Sequence, residues 1–257
     1  MSSSALSTKS HKDIAIVLRT QPLGEADRII ILLTRERGIV HAVAKGIRRS
    51  SSKFGARLEP FMLIDVSLVA GKNLETVSQV QTRRAYTSSI MGDYSAYLTG
   101  LALVEITEQL SVYDAETYTE SFNLLAGALS AIARNVHQPI DVLNSFISRM
   151  MRLSGWDIQV YQCSVCGRQE DINYFSASSS GICTSCASMV GEKLLAFSDD
   201  VKSYIDDVSS GRWEQVDSQI QQSIKLRSLE LLTRYLQWHV EKPIRSIEVA
   251  LKDFHAS

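Results

Sequence analysis

Long apolar runs are missing from this chain, and no stretch approaches the roughly 18 consecutive apolar residues that a membrane-spanning helix needs. Four prolines and thirteen glycines are too few for a collagen-like or Pro/Gly-rich disordered chain. The first ten residues, MSSSALSTKS, lack the apolar core of a secretory signal. They read as a disordered tail, and the cysteines are expected to face a reducing cytosol in which disulfides are uncommon. The common catalytic signatures are missing as well. There is no G-x-x-x-x-G-K-[ST], no G-x-S-x-G and no H-E-x-x-H, and His11, His41, His137, His239 and His255 are scattered. The acid pairs Asp199/Asp200 and Asp206/Asp207 have no histidine or third carboxylate at metal-ligand spacing, so they read as helix-start or exposed positions. No enzymatic activity is expected.

What is present fits a soluble globular protein of about two domains: 257 residues, 45% apolar and 21% charged. The net charge of −1 conceals a division. Residues 1–90 carry 14 Lys/Arg against 7 Asp/Glu, a net of +7, whereas residues 91–257 carry 13 against 21, a net of −8. Such an asymmetry points to a polyanion bound by the first part, the alternative being ordinary sampling of surface charge.

The hydrophobic period changes where the charge does. Ile14, Ile16 and Leu18 share a face of a first strand, Arg28 to Thr34 (RIIILLT) makes a second, and Ile39 to Lys45 a third after Gly38. Met62, Ile64, Val66 and Leu68 alternate in a fourth, and Leu74 to Val80 returns as a fifth after the turn residues Gly71, Lys72 and Asn73. Five short strands in about 75 residues suit a barrel of the OB type better than a sandwich, which wants about seven. From about Asp93 the period is helical. Tyr94, Tyr97, Leu98, Leu101 and Leu103/Val104 mark one helix; Tyr118, Phe122, Leu125 and Leu129 a second; Ile140, Leu143, Ile147, Met150 and Met151 a third, between Pro139 and Gly155. A long last helix is predicted over about Ser218 to Glu241, with Ile220, Ile224, Leu231, Tyr235 and Trp238 on its face and Pro243 ending it. The predicted architecture is therefore α+β: a tail over 1–10, an OB-type nucleic-acid-binding barrel over 11–88 and an α-helical domain over 89–257.

All four cysteines, Cys163, Cys166, Cys183 and Cys186, fall in one C-x2-C-x16-C-x2-C pattern. Two close pairs at this separation let two turns present four thiolates tetrahedrally to Zn²⁺, with Gly167 supplying the flexible backbone of the first turn. Two disulfides and a thioredoxin-like redox pair are the alternatives; a reducing compartment disfavours the first, and the second lacks its βαβ setting. A shell closed by four protein ligands leaves no position for an activated water, so one structural zinc per chain is expected, stapling an insertion over about 160–190.

Between the third and fourth strands, Lys45-Gly-Ile-Arg48-Arg49-Ser-Ser-Ser-Lys53-Phe54-Gly-Ala-Arg57 carries five positive charges and no acid. Gly and Ser let such a loop follow a phosphate backbone, Arg engages phosphates bidentately, and Phe54 offers a face on which a base could stack. The plain alternative is a solvated basic loop, with Phe54 as a packing residue. Arg35, Arg37, Arg83 and Arg84 are candidates to extend the patch.

The stretch Gly24-Glu-Ala-Asp-Arg28-Ile, with Thr34-Arg-Glu-Arg-Gly38, Ala44-Lys-Gly46 and Phe54-Gly-Ala-Arg57-Leu-Glu-Pro60-Phe, resembles the N-terminal domain of the bacterial recombination mediator RecO family. The helical half matches only in general pattern. The resemblance implies an OB barrel, a helical C-terminal domain and, as in many members, a four-cysteine zinc module at Cys163 to Cys186. It further implies binding of single- and double-stranded DNA, strand annealing, a complex with RecR, and help in loading RecA onto strands coated by single-strand binding protein (SSB). Some members also take the acidic C-terminal tail of SSB. A cytoplasmic, nucleoid-associated protein without catalytic residues follows, its DNA contacts placed on Lys45, Arg48, Arg49, Lys53, Phe54 and Arg57. A zinc-containing RNA-binding or transcription accessory factor is the competing reading, and a pure assembly scaffold a third.

Overall fold

The strand pattern of the first 85 residues closes on itself. In the computed structural model, which describes residues 10–110, 117–240 and 242–256, β1 (Ser10–Leu23), β2 (Asp27–Thr34), β3 (Gly38–Ala44), β4 (Met62–Val69) and β5 (Glu75–Ala85) form a closed barrel in the order β1-β2-β3-β5-β4. Neighbours are antiparallel except β3 and β5, which pair in parallel at Ala42↔Glu75 and Val43↔Thr76. The expected tail lies outside the described residues up to Ser10, where β1 begins.

Period-2 alternation explains which side chains fill the barrel, and it assigns the faces in an informative way. Ala15, Val17, Ile30, Leu32, Ile64, Val66 and Leu68 point inward with Phe54 and Leu58 of the loop. Ile16, Leu18, Ile31 and Leu33 point outward, yet they are equally buried, because the helical domain packs over them. RIIILLT is thus apolar at successive positions because both faces of β2 are covered. The face that Ile16 and Leu18 share is the junction between domains and not the barrel interior.

At that junction Phe61 takes a left-handed backbone (φ 69°), its N–H donating to Val17 O at the β1 bulge and its ring meeting Tyr97 edge-on at 6.3 Å. Arg19 of β1 grips Glu108 with two hydrogen bonds of 2.6 Å. Gly38 has φ 66°, and a Cβ there would lie 2.5 Å from the Tyr118 ring, so any other residue would strain this turn and displace the ring where it meets the helical domain.

The helical domain begins with the short α1 (Thr87–Met91), followed by α2 (Tyr94–Leu110), α3 (Tyr118–Ala133) and α4 (Pro139–Leu153), with Pro139 in the first turn of α4 as read from the sequence. After a cysteine-bearing segment come α5 (Asp199–Ser210), α6 (Trp213–Val216), α7 (Gln222–His239) and α8 (Arg245–Ala256). Asp199 and Asp200 open α5, where carboxylates favour the helix N-terminus. The last predicted helix needs correction. Its observed span is Gln222–His239, so Ile220 precedes it; Trp238 is 62% exposed; and after Pro243 the chain turns into α8, which packs on α2. Glu241, the predicted end, lies outside the described residues. No helix among the described residues is long and apolar enough to cross a membrane.

The core helix α4 buries polar as well as apolar residues. Asp141 accepts a 2.7 Å hydrogen bond from Lys225 Nζ of α7 and a 2.6 Å one from the Tyr204 hydroxyl of α5. Asn144 donates to Tyr204 Oη and to the Lys225 carbonyl. Burial lifts the Asp141 carboxyl above its usual range, against the opposing pull of Lys225 and Tyr204. Breaking a buried pair from one side strands a charge. Lys225→Met is therefore expected to cost about 3–5 kcal/mol in denaturant unfolding, and adding Asp141→Asn to recover part of that loss.

Candidate functional site

The segment between α4 and α5 is a small three-stranded sheet, β7-β6-β8, built from β6 (Ile172–Ser176), β7 (Ser180–Cys183) and β8 (Leu195–Ala196). Its turns carry the cysteines. The Cys163 N–H donates to Arg168 O (2.7 Å) and the Gly167 N–H to Cys163 O (2.8 Å), curling the first pair into a tight loop in which Gly167 has φ 75°. The second pair sits at the end of β7 and in the 3-10 turn that follows, Thr184–Met189. Ser164 N–H donates to Gly181 O (2.9 Å) and so ties the first turn to β7.

All four Sγ atoms lie within 4.8 Å of one another; Cys163, Cys183 and Cys186 are buried and Cys166 is exposed. None is in a disulfide. Burial opposes ionisation of Cys163, but backbone N–H groups of Cys183, Cys166 and Val165 outweigh it and bring the thiol down to about 6. Burial and hydrogen bonding to the other three cysteines push Cys186 up to about 12. The Cys163 thiolate forms readily while Cys186 resists ionisation, as expected of like charges this close, and a cation at the centre would relieve that repulsion. The donor set therefore fits a metal ion as four thiolates with no open position.

The basic loop separates into two parts. Lys45, Arg48, Arg49, Lys53 and Arg57 are all exposed, and among the described residues none of them is in an ion pair. Most other arginines of the barrel are neutralised: Arg19 by Glu108, Arg28 by Glu59, Arg37 by Glu75 and Arg83 by Asp65. Of the four suggested extensions of the patch, Arg37 and Arg83 are thus occupied, while Arg35 and Arg84 remain exposed. The first part of the loop is pinned to the β1–β2 turn, with Arg48 N–H on Ala26 O, Arg48 Nη1 on Gly24 O and Gly46 N–H on Asp27 Oδ1. The second part is pinned to β5 through Lys53 Nζ on Ser78 O, at 3.0 Å.

Phe54 requires correction as a stacking face. It is 2% exposed, belongs to the barrel core with Leu58 and Val77, and has Lys53 Nζ above its ring at 5.0 Å. The ring anchors the loop in the barrel mouth because a fully apolar side chain gains more from burial than from a solvent-facing position. Beside it lies a cleft of about 820 Å³ formed by β1, β4 and β5, lined by Lys53 and Arg57 and also by Lys12 and Arg35. The sequence reading missed Lys12, whose distance along the chain from the loop hid its place in the same cleft. A second groove, of about 610 Å³ between α3 and α4, has Leu124 and Phe146 on its floor and Arg149 and Arg152 at its rim.

Family models describing "Recombination protein O N terminal" and "Recombination protein O C terminal" match residues 8–86 and 91–248. Among curated proteins, the chain is similar to the DNA repair protein RecO of Bifidobacterium animalis subsp. lactis, at 39% identity over 93% of this chain and 98% of the relative. The DNA repair protein RecO of Thermobifida fusca is 38% identical over 93% and 97% of the two chains, and that of a Nocardioides species 36% over 92% and 97%.

Two outcomes test this geometry. A Cβ at Gly181 would fall 2.5 Å from Gln159 O and 2.9 Å from Gln162 O, so Gly181→Ala should destabilise the cysteine module by about 1–3 kcal/mol in thermal unfolding. Phe54→Ala should cost about 3–5 kcal/mol of barrel stability in denaturant unfolding.

Proposed function

The chain belongs to the RecO family of DNA repair proteins, and on that premise we propose that it acts as a DNA-binding recombination mediator. It holds DNA through Lys45, Arg48, Arg49, Lys53 and Arg57, anneals complementary strands, and works with RecR to load RecA onto SSB-coated single strands. The observation that carries this reading is electrostatic: five exposed cations without acidic partners sit on one loop of a closed barrel in which most other arginines are paired. Unpaired cations at a barrel mouth release counterions when they meet phosphate, and they favour DNA without reading its sequence. The groove between α3 and α4, apolar with the exposed Arg149 at its rim beside Arg152, which already pairs with Asp157 at 3.0 Å, suits the acidic C-terminal tail of SSB. None of these roles needs a bond made or broken by the protein, and we assign it no enzymatic activity.

The ion that fits Cys163, Cys166, Cys183 and Cys186 is Zn²⁺, one per chain, which supplies a structural cross-link and no chemistry. The cysteines tether the turn before β6 to the end of β7. Ile172, Phe175 and Ile182 already seat the sheet on the core between α4 and α5, and the thiolates add a cross-link that fixes its two turns. Elemental analysis of the purified protein should give one zinc, and Cys163→Ser or Cys186→Ala should lose it together with thermal stability, while DNA affinity falls less. Protein purified without metal and no less stable than the metal-loaded form would refute the assignment.

For the DNA loop, Arg48→Glu, Arg49→Glu and Lys53→Glu together should weaken binding uniformly across sequences. Counted over all five loop cations, one single-strand phosphate contact each, the slopes of log K against log salt sum to about −3.5, and removing three contacts brings the sum to about −1.4 or less. Matched DNA and RNA oligonucleotides in one titration separate the family reading from an RNA-binding factor, because contacts to the 2′-OH would favour RNA. Annealing of bare and SSB-coated strands, with and without RecR, tests the mediator role directly.

A further inference from the structure

The five loop cations fall within one stretch of 13 residues, Lys45 to Arg57, but do not make one surface. Lys53 and Arg57 line the β1–β4–β5 cleft with Lys12 and Arg35; Lys45, Arg48 and Arg49 do not touch it. Their half of the loop is tied to Gly24, Ala26 and Asp27 at the β1–β2 turn, whereas Lys53 is tied to Ser78 on β5. In the barrel order β3 stands between β2 and β5. Phe54, between Lys53 and Arg57, is driven into the core and anchors the second half of the loop at the cleft, while Ser50, Ser51 and Ser52 separate that half from Arg48 and Arg49.

The cleft has the makings of a strand site in its own right. Its four cations face three acids, and two of those are already engaged: Asp65 pairs with Arg83 at 2.8 Å, and Asp13 accepts the N–H groups of Ile14 and Glu36. Lys12, Arg35, Lys53 and Arg57 are all exposed and outside any ion pair among the described residues. Gln79 and Gln81 on β5 add exposed amides that donate and accept with any base edge. A cationic groove of this kind follows phosphates without sequence preference.

We propose that one barrel carries two separate single-strand tracks, the cleft of Lys12, Arg35, Lys53 and Arg57 and the turn surface of Lys45, Arg48 and Arg49, and that annealing proceeds between strands held one on each. This rests on the DNA-binding reading above. Two strands on one track would compete for the same cations and repel each other; two tracks joined by a pinned loop hold both strands at high effective concentration while keeping their phosphates on different cations.

The test uses the full chain and two non-complementary oligo(dT) strands, one carrying a donor dye and the other an acceptor, so that any energy transfer reports joint capture and not pairing. The unaltered protein should bind two strands per chain and show transfer. Lys12→Glu/Arg35→Glu and Arg48→Glu/Arg49→Glu should each keep one strand within about threefold of the original affinity, lose transfer, and slow annealing of complementary strands by at least about tenfold. In each variant the salt slope of the lost strand's binding should shrink by about 1.4, for two contacts removed. The neutral pair Lys12→Gln/Arg35→Gln, with an unchanged unfolding midpoint, should show the same selective loss in weaker form. Saturation at one strand per chain, or either reversal abolishing all strand binding, would overturn the two-track arrangement while leaving DNA binding intact. No binding of oligo(dT) by the unaltered protein would overturn the DNA reading itself, and the two-track arrangement with it.

Discussion

Everything else in the molecule follows from β1 and β2 being buried on both sides. A five-stranded barrel needs only its inward side chains to be apolar, but here Ile16, Leu18, Ile31 and Leu33 are apolar outward too, and the helical domain covers them. Leaving those four in water would forfeit roughly 1.5–3 kcal/mol each, so the two domains form one body about a shared sheet face. The arrangement also decides where a ligand can go. One flank of the barrel is taken by α2, α3 and the Phe61 contact, which leaves the loop and the β4–β5 flank open to solvent.

Electrostatics divides along the same line. Toward the helical domain the barrel's arginine is neutralised, Arg19 on Glu108. At the parallel β3–β5 closure, Arg37 and His11 meet Glu75, and the Arg37 guanidinium holds that carboxyl below its usual range. These pairs are partly exposed and contribute little to stability. Their consequence is one of selection: with so many barrel arginines committed, the cations free to meet a polyanion are concentrated on the loop and the cleft beside it.

The helical domain, carrying the acidic excess, is organised around α4, whose Asp141 joins α7 and α5 through Lys225 and Tyr204. Such a network adds direction more than stability, since the groups must meet in one geometry or remain unsatisfied. The cysteine sheet sits between α4 and α5 in the same body, and Arg227 of α7 donates to Ala196 O of β8. Four thiols converge from two turns of that segment, and its Ile172, Phe175, Ile182 and Phe197 are buried in the shared core.

Much of this was legible in the sequence. The five strands, the first three long helices and the cysteine spacing each carry a local signal, a period of two, a period near 3.6 and a pair of C-x2-C turns, that does not depend on what packs against them. The resemblance to the RecO family likewise rests on contiguous residues, Gly24 to Arg28 and Phe54 to Phe61. What lay beyond reach was set by neighbours distant along the chain. Phe54 sits in a basic, Ser-rich loop, and nothing local shows that its ring enters the barrel. Lys12 is separated from Lys53 by two strands, yet β1 and β5 bring both to one cleft. Helix α8 follows a proline that reads as an ending, and it is held by packing on α2. Sequence alone determined the type of each element and the thiol donor set, because those depend on backbone propensity and spacing. Only the tertiary structure decided which face of β1 meets the helices, which cations remain unpaired and how the basic loop is divided, because burial and pairing are properties of surfaces that exist only once the chain has folded.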